Sequence, residues 1–129
     1  GIKTSGDIVK AIGAGADFVM IGSLFSGTTE TPGNILVKDD GTKVKEYRGM
    51  ASRAAQMAWR GRTSSLEGIS TFVPFKGKVK YVVDDLVNGI RSGLSYTGSR
   101  NIEEFQARAH FIQQTQAGQS ESSTHILRR

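Results

Sequence analysis

The sequence contains no cysteine. That excludes a disulfide scaffold, a thiolate metal site and a cysteine nucleophile from this chain. Long apolar runs are also missing. The longest, around Phe18–Ile21, falls far short of the ~18 residues of a membrane span, so no membrane partner is expected. Proline occurs twice in 129 residues. Acidic residues are outnumbered, 12 against 17 Lys+Arg, for a net charge of +5 and a pI near 9.7. This surplus hints at an anionic partner. Nucleic-acid binders, however, gather their charge in a stripe, and here it is spread along the chain, so no nucleic-acid partner is expected. The densest patch holds Arg53, Arg60 and Arg62. It reads either as a solvated face or as a site for a small phosphorylated ligand.

What is present suits one packed unit. The apolar fraction of 37% rises to about 49% once the 16 glycines are counted, within the usual range for a globular domain. The N-terminus, Gly1-Ile2-Lys3-Thr4, has no initiator Met and no signal-peptide pattern. It reads as an interior cut through a longer protein.

The first 35 residues predict a helix and then a strand. Ser5 and Asp7 are candidate N-caps, Ile8, Val9, Ala11 and Ile12 lie at helical spacing, and Gly13 and Gly15 end the helix. Asp17–Ile21 is a short apolar run closed by Gly22, suited to a strand buried on both faces of a parallel sheet. Further on, Ile35–Val37 and Lys43–Tyr47 flank an Asp-Gly pair, which signals a hairpin. Ala51–Trp59 predicts a helix, with Met57 and Trp59 facing the core or anchoring a loop. Thr71–Phe75 predicts an edge strand, because Pro74 cannot donate to a central ladder. Val79–Leu94 has an amphipathic helical pattern, and a shorter helix over 101–109 is capped by Asn101 with Glu103 and Glu104 at its positive end. The Gln/Ser/Thr/Gly tail of residues 113–124 is a poor candidate for autonomous order.

Three constellations could carry chemistry. Gly22-Ser23, directly after the apolar run, resembles a turn whose amides and open glycine admit a phosphate; a plain tight turn has the same letters. Gly1 lies 21 residues upstream, where a preceding strand would end. Tyr47-Arg48-Gly49-Met50-Ala51-Ser52 could form a flat slot for a purine, or simply a strand end feeding a helix cap. Glu67-Gly68 offers a carboxylate that is otherwise a surface charge. His110 and His125 lack metal-ligand spacing.

Taken together, these segments resemble the C-terminal part of the IMP dehydrogenase/GMP reductase family. The matching pieces run in order along nearly the whole chain: Gly1-Ile2 with Ser5–Ile8, Gly13–Asp17 with Val19–Ser23, Tyr47–Ser52, Glu67-Gly68, Val73–Gly77, Gly89–Ser92, Tyr96–Gly98 and Glu121-Ser122. The resemblance implies an α/β fold: the C-terminal portion of a (β/α)₈ TIM barrel, with its last two strands, the flap and the C-terminal segments. Residues 1–129 would then belong to a single catalytic barrel domain, with 34–75 as hairpin, purine-contacting and flap insertion and 113–129 as a polar tail. It further implies that Gly1, Gly22, Ser23 and Tyr47 hold the nucleotide phosphate. Gly49, Met50, Ala51 and Gly68 would meet the base, and Glu67 would reach its N1 edge as the catalytic carboxylate. Backbone carbonyls of Glu121, Ser122 and Ser123 would bind a monovalent cation, K⁺. The family reaction is hydride transfer at purine C2 through a covalent thioimidate on a cysteine, with NADPH or NAD as cofactor. A homotetramer and a cytoplasmic location are implied with it.

The nucleophilic cysteine and a ribose-binding Asp belong upstream of Gly1, so this chain alone is expected to be inactive and to need the upstream half of the barrel. Arg53–Leu66 spans only 14 residues and lacks the Arg-Tyr pair with which the dehydrogenases hydrolyse their intermediate. That favours the GMP reductase type, converting GMP to IMP. Against it, Ala117–Ser122 resembles the dehydrogenases, and Arg60 or Arg62 could activate water in a variant arrangement. A nucleotide-binding module without catalysis is a further alternative, and a basic nucleic-acid-binding domain is the least favoured one. Two strands of a barrel leave unpaired edges, so the isolated segment is expected to aggregate or stay molten.

Overall fold

The computed structural model describes residues 1–49, 57, 59, 61 and 70–122. Its named elements are four α-helices, a 3₁₀ turn and a small antiparallel sheet. Helix α1, Ser5–Gly13, starts at Thr4 rather than at Ser5 or Asp7. Asp7 acts one turn inside: its Oδ2 accepts from the Lys3 and Thr4 amides, each at 3.0 Å, and from the Thr4 hydroxyl at 3.1 Å. These donors hold the Asp7 carboxyl at about 2, below its ordinary 3.8; the Lys3 amide contributes most, and the Thr4 amide comes next. The helix closes as the glycines predict. Gly15, at φ +95°, donates to the Ile12 carbonyl, and Ala16 donates to that of Ala11. That is the paired C-terminal closure which a left-handed residue allows.

The apolar run 17–21 is not a strand in any sheet among the described residues. Phe18 and Met20 are 92% and 86% exposed, whereas Val19 and Ile21 are half-buried. The expectation of burial on both faces is therefore corrected. A parallel strand needs neighbours on both edges and helices on both faces, and no described strand pairs with this one.

The sheet has the order β1–β2–β3, with β1 Ile35–Val37, β2 Lys43–Arg48 and β3 Ser70–Pro74. Both pairings are antiparallel; Ile35 faces Lys45, and Val44 faces Pro74. The hairpin turns at Gly41, φ +79°, with the Asp40 carboxylate accepting from the Thr42 amide at 2.8 Å. That bond holds the Asp40 carboxyl below its ordinary value. Pro74 lies on the edge strand, where its missing N–H costs no ladder bond.

Helix α2, Val79–Tyr96, packs on α1, and α3, Ile102–Arg108, packs on α1 from another side. Ile8, Leu86 and Phe105 are the buried side chains of this cluster. The α1–α2 approach is close because α2 presents Gly89 to Ser5 and Gly93 to Val9. Helix α2 ends like α1: Gly98, φ +64°, donates to the Ser95 carbonyl and Ser99 to that of Leu94. The Arg108 guanidinium, 2.5 Å from the Gly98 carbonyl, sits where a cation favours the helix dipole. Asn101 caps α3 as expected, accepting from the Glu104 amide at 2.8 Å. The tail departs from expectation. Residues Gln116–Glu121 form helix α4, capped by Thr115, whose hydroxyl accepts from the Gly118 amide, while Gln114 bonds to Ser122 across the turn. Met57 and Trp59 are helical, as predicted, but more than half exposed rather than core-facing. No described helix is long and apolar enough to cross a membrane.

Candidate functional site

Gly22 opens a 3₁₀ turn over Ser23–Phe25. The Phe25 and Ser26 amides close it, bonding to the Gly22 and Ser23 carbonyls at 3.1 Å each. The amides of Ser23 and Leu24 stand at the start of this turn, where a helix leaves its donors without internal partners. Gly22 has φ −106° and ψ −90°, and a Cβ built on it meets nothing within 4 Å among the described residues. Packing among the described residues therefore does not require glycine at this position. Gly1 is likewise open and exposed.

The loop that follows is fastened from three directions. Its Thr28 is fully buried. From β2, the Lys45 ammonium donates to the Thr28 carbonyl at 2.7 Å and to that of Thr29 at 3.0 Å. From the segment after β3, the Lys76 ammonium donates to the Leu24 carbonyl at 2.9 Å, and the Lys76 amide to that of Gly27 at 2.8 Å. From α2, the Val79 amide donates to the Glu30 carboxylate at 2.8 Å. Gly27 is required here: at φ +81°, a Cβ would run into the Pro74 carbonyl.

Tyr47 lies on β2 opposite Thr71 and is half-buried. Side chains two apart on a strand share a face, so Tyr47 lies on the face from which Lys45 reaches the loop. Gly49 follows the strand end directly. Thus the structure joins the strand carrying Tyr47 and Gly49 to the loop continuing from Gly22-Ser23. It gives Gly1 no hydrogen bond to that turn. Glu121 ends α4 and Ser122 caps it. Met50, Ala51, Glu67, Gly68 and Ser123 lie outside the described residues, as do most of the stretch 51–59 expected to be helical and Arg53, Arg60 and Arg62.

Lys45, Lys76 and Glu30 were not legible as site residues. Charged side chains in a short amphipathic strand or a loop read as solvated, and their partners lie 16 to 52 residues away. The one available signal was the parity that Lys45 shares with Tyr47.

The model of the IMP dehydrogenase / GMP reductase domain matches residues 1–125. The chain belongs to the IMP dehydrogenase/GMP reductase family. It is 47% identical to GMP reductase of Leishmania major over 98% of its own length and 28% of that protein's. To the inosine-5'-monophosphate dehydrogenase of Nitrosopumilus maritimus it is 43% identical, over 97% of its length and 29% of the other's. Among solved structures, it superposes with a TM-score of 0.85 and 53% identity on a cysteine-to-alanine variant of Trypanosoma brucei GMP reductase in complex with guanosine 5'-monophosphate. That match covers 97% of this chain and 26% of the other. The Legionella pneumophila inosine 5'-monophosphate dehydrogenase gives a TM-score of 0.71 at 52% identity, over 92% and 38%. The family chain described here therefore spans little more than a quarter of the relatives it matches in sequence, and its α/β architecture corresponds to part of theirs.

Proposed function

We propose that this chain is the nucleotide-cradling part of a purine-nucleotide oxidoreductase of the GMP reductase type, working with an upstream half of the same (β/α)₈ barrel that carries the cysteine. The observation that carries this reading is Gly22: a glycine with open space around it among the described residues, at the head of a 3₁₀ turn whose first amides have no partner within the turn. A missing side chain there leaves room for an anion against the backbone. In this reading Gly1, Gly22 and Ser23 meet the nucleotide phosphate, with the Tyr47 hydroxyl donating to it. Gly49, Met50, Ala51 and Gly68 lie along the purine.

The overall conversion is GMP + NADPH + 2H⁺ → IMP + NADP⁺ + NH₄⁺, with the purine held on the upstream cysteine as a thioimidate. The nicotinamide cofactor supplies the hydride. Glu67, at the N1 edge, stabilises charge developing on the ring and handles the proton that leaves with ammonia. The end of α4, residues Glu121 and Ser122 with the following Ser123, fits a monovalent cation such as K⁺ in the chemistry of its donors, since helix C-terminal carbonyls carry partial negative charge. That end would serve a neighbouring subunit of a cytoplasmic homotetramer.

The reductase type is favoured by the 14-residue connection Arg53–Leu66, which contains no Arg-Tyr pair. The dehydrogenase reading, NAD-dependent conversion of IMP to XMP, is kept open by the dehydrogenase-like Ala117–Ser122 tail and by relatives of that name at 41–46% identity. The full-length protein should release ammonia from GMP with NADPH. NADH formation from IMP without GMP turnover would replace the reductase by the dehydrogenase. Binding of GMP and IMP with no turnover of either would leave only a binding module.

A further inference from the structure

Lysine is almost never fully buried unless its ammonium is paired, and burying a cation is costly without hydrogen bonds. Lys45 is nevertheless 2% exposed, and what it meets is two main-chain carbonyls, not a carboxylate. Among the described residues neither Lys45 nor Lys76 has an acidic group within ion-pair distance. Both ammonium groups grip the loop that continues from Gly22-Ser23: Lys76 at Leu24 inside the 3₁₀ turn, Lys45 at Thr28 and Thr29 beyond it. An apolar residue would fill the Lys45 position at lower cost. A lysine adds two things there, a directional tether and a positive charge with no acidic partner among the described residues.

The tether joins two parts that a nucleotide must meet at once. Lys45 belongs to β2, whose next same-face residue is Tyr47 and whose end leads into Gly49. Lys76 follows β3, which pairs along β2 from Val44 to Arg48. Backbone bonds also join loop and sheet, from the Lys76 amide to the Gly27 carbonyl and from the Glu46 amide to the Asn34 carbonyl, and the two ammonium groups add the side-chain ties at Leu24, Thr28 and Thr29. Slippage of one against the other would move the phosphate turn relative to the purine slot. The Lys45 ammonium, with no acidic partner among the described residues, lies against the same loop as the turn and favours a dianionic phosphate over a neutral group.

We propose that Lys45 and Lys76 are positioning residues for the phosphate turn, holding Gly22–Phe25 in register with the strand that carries Tyr47. This rests on the nucleotide-cradle reading above. The test uses the full-length protein with Lys45→Met and Lys76→Met, each measured for binding of GMP and IMP against guanosine and inosine, and for kcat and KM. Losing one charge-assisted hydrogen bond corresponds to about tenfold in affinity. Lys45→Met should therefore weaken nucleotide binding about tenfold, and the more exposed Lys76→Met about threefold. Nucleoside binding should change less than about twofold in both, and kcat less than about threefold. Nucleotide affinity unchanged in both variants, or an equal loss for nucleotide and nucleoside, overturns the proposal while leaving the cradle reading intact. Wild-type protein that binds neither GMP nor IMP overturns both. If Lys45→Met does not fold, Lys76→Met decides alone, because its ammonium is exposed and its loss leaves no buried charge unpaired.

Discussion

Replacing Gly89 by alanine should destabilise the protein even though alanine is the better helix former. The residue lies inside α2, where the exchange alone would contribute about 1 kcal/mol in favour of the helix. The added methyl, however, would collide with the Cβ and Oγ of Ser5. The Cβ of Ser5 is fixed to its backbone, so no rotamer change clears it; the helices must part. Parting them far enough to restore ordinary carbon contact, about 3.5–4.0 Å, loosens the packing around Ile8 and Leu86, which are 4% and 7% exposed. Overpacking of this kind costs about 1–3 kcal/mol, and with a backbone-bound atom as the obstacle the upper end applies. The net expectation is a loss of about 2 kcal/mol, or roughly 4–8 °C in Tm for a barrel-sized domain. Gly6→Ala is the matched control, since in α1 its Cβ would meet only Thr4 Oγ1 at an ordinary 3.6 Å; it should stabilise by up to about 1 kcal/mol. Ser5→Gly combined with Gly89→Ala should recover most of the loss. Thermal unfolding of the full-length protein measures all three variants against wild type. A Gly89→Ala variant as stable as Gly6→Ala, or a double variant no better than the single, would refute the close-approach argument.

Other expectations follow from local chemistry. Because the Asp7 carboxyl is lowered to about 2 from 3.8, its stabilisation is complete above about pH 4 and is lost as pH falls towards 2. Asp7→Asn should flatten that part of the stability–pH curve, and a difference between variant and wild type constant down to pH 2 would contradict it. Asn101→Ala removes the α3 cap and should cost about 1 kcal/mol, seen as faster amide exchange in Ile102–Arg108 with α2 unaffected. Tyr47→Phe should raise the nucleotide KM several-fold, by the value of about one neutral hydrogen bond, with kcat nearly unchanged; an unchanged KM removes Tyr47 from the phosphate site. The isolated 129-residue segment, with Phe18, Met20, Phe111 and Ile112 exposed, should bind a hydrophobic dye and melt without cooperativity. A sharp calorimetric transition would refute that.

Local signals were legible wherever chain neighbours decide the outcome. The periodicity of Val79–Leu94, the Asp40-Gly41 hairpin, the Asn101 cap and the glycine closure of α1 all depend on residues a few positions apart, and each formed close to its expected bounds. Where two candidates competed for one task, local pattern was not enough. Thr4 displaced Ser5 and Asp7 as N-cap because Asp7 is better used reaching back to the Lys3 and Thr4 amides. The tail misled because composition counted its polar residues, while order came with Thr115 capping α4 and Gln114 bonding to the Ser122 hydroxyl.

The sequence by itself determined family membership, helices α1 to α3 and the hairpin, because these follow from residue order and short-range pattern. Tertiary structure alone decided that 17–21 joins no sheet among the described residues, since a parallel ladder depends on strands distant in sequence. It also decided that Lys45 is buried and binds Thr28 and Thr29, since only folding brings a strand's ammonium to carbonyls 16 and 17 residues earlier and makes their hydrogen bonds the condition for its burial.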